Sequence, residues 1–497
     1  MQSPASPDTD PATWLDELAR RDADRVFLGT PDGQRVTYAA MNQRVDAIAA
    51  ALVQRAVTAG DRVVAQVEKS PDAIALYLAC LRVGAVFVPL NTAYTSAEIE
   101  YFLGDADPKV AVGVGRGWVK LTELTCERSA SARPSTAMKQ SALAALLYTS
   151  GTTGRSKGAM LTRANLATNA IVLAHEWRFT ERDVLLHALP IFHVHGLFVA
   201  INTVLAAGSS MLFLPKFDAD EVIRLLPQAT VMMGVPTFYT RLLQHAAFTR
   251  ERCASIRLFV SGSAPLLAQT HCEFRDHTGH AILERYGMSE TLMNTSNPYE
   301  GERVPGSVGP PLPGVEVRIA DPESGMPLPE VGSVGMIEVR GPNVFRGYWR
   351  MPEKTAAEFR QDGFFITGDV GRFDRNGYLF IVGRAKDLII SGGYNVYPVE
   401  VETELDALSG VAESAVIGVP HPDFGEGVTA VIVARAGAVL DENTLRAALE
   451  QRLAKYKLPK RIVFVNEMPR NAMGKVQKAQ LRERYRDLYN PGRNASG

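Results

Sequence analysis

Cysteine is scarce in this chain: Cys80, Cys126, Cys253 and Cys272 are widely spaced over 497 residues and form no C-x-x-C pair. That excludes a disulfide framework and argues against a zinc site, leaving reduced thiols of the cytoplasmic kind. A surplus of one charge is also missing. Lys and Arg number 53 against 54 Asp and Glu, a net charge of -1, so no global field draws the chain to nucleic acid or an anionic membrane. Long apolar runs are absent too. One of the longest, Val194 to Ala207, is interrupted by His, Gly and Asn and falls short of the ~18 residues needed to span a bilayer. The first ten residues carry Pro, Ser and Asp without the basic stretch or apolar run of a signal or transit peptide. The expectation is a soluble cytoplasmic enzyme that binds no nucleic acid or membrane and needs no protein partner. Its anions must be bound locally.

What is present is a rhythm. A chain this long exceeds a single growing core, so two or more domains are expected. Short β-branched runs alternate with helical patterns: Leu143 to Tyr148 then Arg163 to Trp177, Val184 to Leu189 then Gly196 to Leu205. Met211 to Leu214, Thr230 to Val235 and Ile256 to Val260 continue the series, each followed by a helical pattern. An earlier block, Ala39 to Leu90, fits the same plan. This predicts an α/β fold with parallel strands covered by helices. The connection 113–138 reads as irregular. Beyond about Gly314 the texture turns to Gly- and Pro-punctuated strands, predicting a β-rich subdomain of the large N-terminal part, residues 1–383. Residues 384–387 read as a hinge, and 388–497 as a small, mobile α+β domain with helices Pro398 to Leu408 and Glu442 to Tyr456.

In parallel sheets ligands lie beyond the carboxyl ends of the strands. There the segment Thr149-Ser150-Gly151-Thr152-Thr153-Gly154-Arg155-Ser156-Lys157-Gly158 combines glycines, hydroxyls and two cations after an apolar strand. Glycines let main-chain N–H groups approach phosphate oxygens, hydroxyls donate further bonds, and Lys157 offsets charge. The Walker spacing fails, because Gly158 follows Lys157.

This loop resembles that of the adenylate-forming superfamily, which includes acyl-CoA synthetases, luciferases and peptide-synthetase adenylation domains. Further matches follow in order: Tyr286-Gly287-Met288-Ser289-Glu290 is similar to Y-G-x-T-E, Thr367-Gly368-Asp369 to T-G-D, Gly383-Arg384 to the arginine at the sugar, and Pro469 to Lys475 to P-R-x-x-x-G-K. The resemblance implies ATP and CoA as substrates with Mg²⁺ as cofactor. It implies Lys475, Glu290, Ser289, His193 and Lys157 as catalytic residues, with Glu290 and Thr149 near the metal. It also implies nucleotide contacts from the loop Thr149 to Lys157 and from Ser263, Glu284, Tyr286, Gly287, Asp369 and Arg384. For the CoA step it implies Lys386 as pivot and Ser391, Gly392 and Gly393 at the pantetheine arm. Ser289 departs from the usual threonine but keeps the hydroxyl.

The acid is read from fewer residues. Leu189 to Leu197 resembles the superfamily's acyl-pocket wall, where His193 and Val194 stand; a histidine there is either packed or functional. Arg285 is the informative position. Relatives acting on fatty or aromatic acids have a small residue there, whereas a buried guanidinium calls for an anionic partner. That partner is either a protein carboxylate such as Glu284 or a second carboxylate on the substrate. Ser263 offers a hydroxyl, and Met288 and Met293 could close over a short chain. The chain as a whole resembles the malonyl-CoA synthetases, which implies malonate, and methylmalonate as well. Acetate, oxalate or succinate, or a carrier protein in place of CoA, are the alternatives.

Overall fold

A computed structural model describes residues 9–126, 138–149, 156–471 and 474–489. Among them the α/β reading holds, with a large N-terminal part built on three sheets and a small C-terminal domain on a fourth.

The largest sheet has eight strands. Its parallel heart is Leu258–Ser261, Val231–Gly234, Val184–His187 and Ser210–Phe213. Leu283–Met288 joins it in parallel, and Leu292–Ser296 then pairs antiparallel to close the edge. Val231–Gly234 and Leu258–Ser261 are buried along their whole length because both faces of the sheet are covered. Two buried clusters result, one including Leu185, Val231, Val260 and Leu283, the other Leu186, Met232, Phe259 and Phe274.

The second sheet has the order Val110–Gly113, Arg62–Gln66, Val86–Pro89, Leu143–Thr149, Lys157–Thr162. This corrects the sequence reading in two ways. Leu143–Thr149 belongs here and not with the series it seemed to open. The return from the phosphate loop is a strand, not a direct entry into a helix: Lys157–Thr162 runs antiparallel to Leu143–Thr149, with Thr149 opposite Lys157. The apolar run Ala159 to Leu161 is too short to stand out. Thr162 then caps the helix Arg163–Glu176 by accepting from Asn165 N–H at 3.1 Å, and Asn165 Oδ1 accepts from Thr162 N–H at 2.8 Å.

Two helices also differ from expectation. The pattern from Gly196 begins as a π-helix, His195–Ile201, before the α-helix Asn202–Ala207; a Cβ at Gly196 would lie 2.1 Å from Pro190 O. In the small domain Glu442–Glu450 stops short of Tyr456, and the chain turns through Lys455–Lys457 ahead of Pro459. The irregular stretch contains a helix, Leu121–Cys126; residues 127–137 lie outside the described set.

The β-rich part is a four-stranded antiparallel sheet, Glu316–Ala320, Gly335–Arg340, Phe365–Phe373 and Leu379–Arg384. Arg384 ends its last strand, and Ala385–Asp387 form one 3-10 turn before the small domain. There Gly425–Ala434 lies between Val411–His421 and Arg461–Val465, over a core of Val416, Ala430, Ile432 and Leu445.

Candidate active site

Three sheets and the small domain converge at the end of Leu283–Met288. Strand alternation sends Arg285 to one face and its neighbours to the other. Arg285 is 3% exposed and lies against Gly262, where a Cβ would sit 2.4 Å from the guanidinium carbon. Its Nε and Nη2 have no hydrogen-bond partner among the described residues. Glu284, the protein carboxylate considered as its partner, turns inward and accepts from Leu266 N–H at 3.1 Å. Its Oε1 thus fixes the loop that follows Ser261, while Oε2 is buried without a hydrogen-bond partner among the described residues.

Tyr286 donates its hydroxyl to Asp369 Oδ2 at 2.6 Å, and Arg384 Nε meets Asp369 Oδ1 at 2.8 Å. Asp369 and Arg384 face each other across adjacent strands. At Gly287 a side chain would strike Leu292 O at 1.8 Å, so the hairpin to Leu292–Ser296 requires glycine. Glu290 is buried; Tyr348 Oη lies 3.2 Å from its Oε1. Lys157 Nζ sits 3.2 Å from Glu358 Oε1. His195 Nδ1 is 3.2 Å from Ser263 Oγ, and Ser263 has a left-handed backbone (φ 71°), the kind of local strain that gathers at functional sites. His193 Nδ1 and His195 Nε2 are buried without partners. Val194 and Met293 are packed in the core beside them, and Met288 is half-buried against it.

The match to the family described as AMP-binding enzyme spans residues 15–349, and its C-terminal domain matches 400–475. The chain belongs to the AMP-binding enzymes. A mitochondrial malonate–CoA ligase of Mus musculus is 39% identical over 465 residues, covering 83% of this chain and 79% of that one. A feruloyl-CoA synthase of an Amycolatopsis species is 36% identical, covering 91% and 94%. Among solved structures, ATP-bound MatB of Rhodopseudomonas palustris is 54% identical with a TM-score of 0.93, covering 97% and 100%.

In this AMP-binding enzyme Lys475 comes from the small domain, on a hairpin clamped at its base. Arg470 pairs with Val476, Asn471 N–H donates to Lys475 O at 3.0 Å, and Arg470 Nη1 donates to Gly474 O at 2.5 Å while its Nη2 meets Glu413. Gly474 (φ 72°) brings the tip to Thr237, whose Oγ1 would lie 3.0 Å from a Cβ there. Lys475 is exposed as a residue, yet its ammonium stands among Arg384, Asp369, Arg285 and Glu290, where the surrounding protein and the nearby Arg384 push its pKa down to about 8. Asp369 and Glu290 pull the other way, and Arg285 adds to the repulsion. Burial, with Lys475 and Arg285 nearby, lowers His193 to about 3 and keeps it a neutral imidazole. Burial lowers Arg285 to about 9 and raises the Glu290 carboxyl.

These residues bring together what the motifs named separately: Tyr286, Glu290, Asp369, Arg384 and Lys475 at one end, Arg285, His193 and Ser263 at the other. Ser289 lies in the turn before Glu290, and Thr149 ends its strand opposite Lys157. Ser150, Gly151, Thr152, Thr153 and Gly154 fall outside the described residues. Ser391, Gly392 and Gly393 are not in this group. They form the turn of a small-domain hairpin, Gly392 and Gly393 in left-handed backbone (φ 59° and 81°), with Gly392 N–H on Phe424 O at 2.9 Å. Lys386 stands in the turn Ala385–Asp387. Sequence reasoning missed Tyr348, Glu358 and Glu413, the partner of Arg470; none of the three stands in a motif.

A divalent cation fits the phosphate end. No cluster of three or more His, Cys, Asp or Glu suited to a metal exists among the described residues. A lone buried carboxylate, Glu290, with the Thr149 hydroxyl suits Mg²⁺ that arrives on nucleotide phosphates and takes few protein ligands. No helix among the described residues is long and apolar enough to cross a membrane.

Proposed function

We propose that this AMP-binding enzyme joins malonate to coenzyme A through malonyl-adenylate, releasing pyrophosphate and then AMP, and accepts methylmalonate as well. The observation that carries the acid is Arg285. A buried guanidinium with two donor nitrogens unpartnered, pressed against Gly262, asks for a carboxylate that the protein itself does not supply. The distal carboxylate of a short diacid meets it in planar, bidentate geometry. The mouse relative is named a malonate–CoA ligase, which supports the same acid. An extended aromatic acid such as ferulate offers Arg285 no anion.

The residues divide the work. Asp369 and Arg384 hold the ribose side, and Tyr286 lines the adenine. Glu290 with Thr149 would hold Mg²⁺, which neutralises phosphate charge when bound. The substrate's proximal carboxylate is already ionised and needs no base. Its oxygen attacks the α-phosphorus, the bond to the β-phosphate oxygen breaks, and Lys475 offsets charge on the carboxylate and α-phosphate as the new P–O bond forms. Neutral His193 adds no positive charge beside Lys475. In the second half-reaction the CoA thiolate attacks the acyl carbon and AMP leaves. For that step we infer that the small domain turns about 384–387, withdrawing Lys475 and bringing Ser391 to Gly393 towards the site. Cytoplasmic residence is our inference from the free thiols of Cys80, Cys253 and Cys272.

The test is pyrophosphate release across acetate, butyrate, oxalate, malonate, methylmalonate, succinate and ferulate with ATP and CoA. Malonate is expected to give the highest kcat/KM. A preference for any monocarboxylate defeats the assignment.

A further inference from the structure

The phosphate end holds a buried group outside every motif. Residues 346–349 lie along the strand Lys157–Thr162: Met160 N–H donates to Gly347 O at 2.9 Å, Arg346 N–H to Met160 O at 2.9 Å and Trp349 N–H to Gly158 O at 2.8 Å. This extra edge carries the Tyr348 ring beside the return strand of the phosphate loop, with Lys157 Nζ 4.4 Å from its centroid. Tyr348 N–H donates to Thr355 Oγ1 at 2.9 Å, which fixes the residue against the short helix Pro352–Ala357. Its hydroxyl then faces two carboxylates, Glu358 Oε2 at 2.6 Å and Glu290 Oε1 at 3.2 Å. Glu358 Oε1 receives Lys157 Nζ at 3.2 Å and Lys354 Nζ at 2.8 Å.

A phenol has one proton and cannot donate it fully to two carboxylates. The shorter contact commits it to Glu358. Glu290 therefore keeps its lone pairs for a cation while the hydroxyl still limits where its carboxylate can turn. Phe345 N–H, on Glu290 O at 2.8 Å, ties the two segments at the main chain. Burying the Glu290 carboxylate against a phenol is costly as mere scaffolding, since an apolar contact would pack the same space without the desolvation, while Glu358 stays partly exposed and held by two lysines. The arrangement makes sense where a polyphosphate with its metal completes it. Tyr348 and Glu358 stand between Glu290 and Lys157, the residue at which the chain returns from the phosphate loop.

We infer that Tyr348 and Glu358 are positioning residues for the β- and γ-phosphates of ATP: Tyr348 orients Glu290 towards the phosphate-bound divalent cation, and Glu358 holds Lys157 at the loop. This rests on the adenylating reading above. Beyond each other, their polar side-chain partners are Glu290, Lys157, Lys354 and Thr355, and not Arg285, Asp369 or Arg384, so their effect is expected to be confined to ligands that carry the terminal phosphates.

Calorimetric titration of the full chain with Mg²⁺·ATP, with ATP in EDTA and with AMP tests this on Tyr348→Phe, Glu358→Gln and Glu358→Asp. Tyr348→Phe is expected to weaken Mg²⁺·ATP about tenfold, in the range for outer partners of a metal ligand, while ATP in EDTA and AMP stay within about twofold. Glu358→Gln is expected to weaken ATP with and without Mg²⁺ and to leave AMP unchanged, with Glu358→Asp recovering part of the loss. Thioester formation from supplied malonyl-adenylate stays within about twofold for all three. Equal weakening of AMP, a parallel fall in the thioester step, unchanged Mg²⁺·ATP affinity, or tighter ATP binding by Glu358→Gln overturns the inference. A wild type that binds Mg²⁺·ATP yet makes no malonyl-CoA would instead overturn the choice of acid, leaving these differences readable.

Discussion

Replacing Arg285 with alanine separates recognition of the acid from the rest of the chemistry. The guanidinium is 3% exposed, its Nε and Nη2 lack partners, and Glu284, which gives one oxygen to Leu266 N–H, makes no hydrogen bond to it. A distal substrate carboxylate brought into Arg285→Ala would be buried without its counter-charge, and breaking such a pair costs roughly 3 to 5 kcal/mol. At about 1.4 kcal/mol per tenfold, kcat/KM for malonate should fall by roughly 10² to 4 × 10³. Acetate and butyrate carry no distal charge, so their kcat/KM should hold steady or rise as a buried cation disappears. Gly262→Ala reaches the same end by another route, since its Cβ would fall 2.4 Å from the Arg285 guanidinium carbon and push the fork out of line. Pyrophosphate release under limiting acid reads both variants, and AMP affinity checks that the nucleotide side is intact. Removing an unpartnered buried charge should not lower the acid-free melting temperature. If Arg285→Ala keeps malonate turnover within about fivefold of wild type, the reasoning from the unpaired guanidinium is wrong.

Lys475→Ala is expected to lose adenylation by about 10² to 10³ and to keep thioester formation from supplied malonyl-adenylate; equal loss of both steps would remove the two-conformation account. Because its ammonium is held down to about 8, adenylation in the wild type should slow as pH rises through that value, while the thioester step from supplied adenylate follows a different profile. Glu284 offers a stability test. Burial raises its carboxyl to about 8, so between the ordinary carboxylate range and about 8 the folded chain keeps a proton that the unfolded chain has released, and stability falls as pH rises across that window. Glu284→Gln keeps an acceptor for Leu266 N–H and removes the slope. Its melting temperature should gain on wild type between about pH 5 and pH 8.5, and a constant difference would refute the buried-carboxyl reading.

Much of the site was legible because its residues stand at strand ends in order. Arg285 and Tyr286 are adjacent, and period-two alternation alone sends them to different faces, one to the acid and one to Asp369. The same alternation disposed of Glu284, which composition made a natural partner for Arg285 and geometry turned inward. The return strand Lys157–Thr162 was hidden because its glycine-rich approach reads as loop until Leu143–Thr149 supplies the pairing. The π-helix His195–Ile201 keeps a helical apolar pattern, so nothing in the residues marked its wider turn. Tyr348 reaches Glu290 through a fold contact between segments more than fifty residues apart and brings Glu358 with it, and no local spacing foretells that. Glu442–Glu450 ended early where the chain must drop into Arg461–Val465 beside the central strand of the small domain.

The Asp369–Arg384 pair sits one residue before the turn Ala385–Asp387, and Arg482 grips Asp387 from the small-domain side. The two fastenings leave almost no slack between them. The rotation proposed above would be taken up by a handful of backbone torsions, so the small domain would work as a lever with a short, stiff fulcrum. On that proposal, a modest twist there would sweep the Lys475 hairpin through a wide arc while Asp369, on the other side of the turn, stayed still. Loosening either clamp would blur the two end positions long before it altered any group that touches substrate.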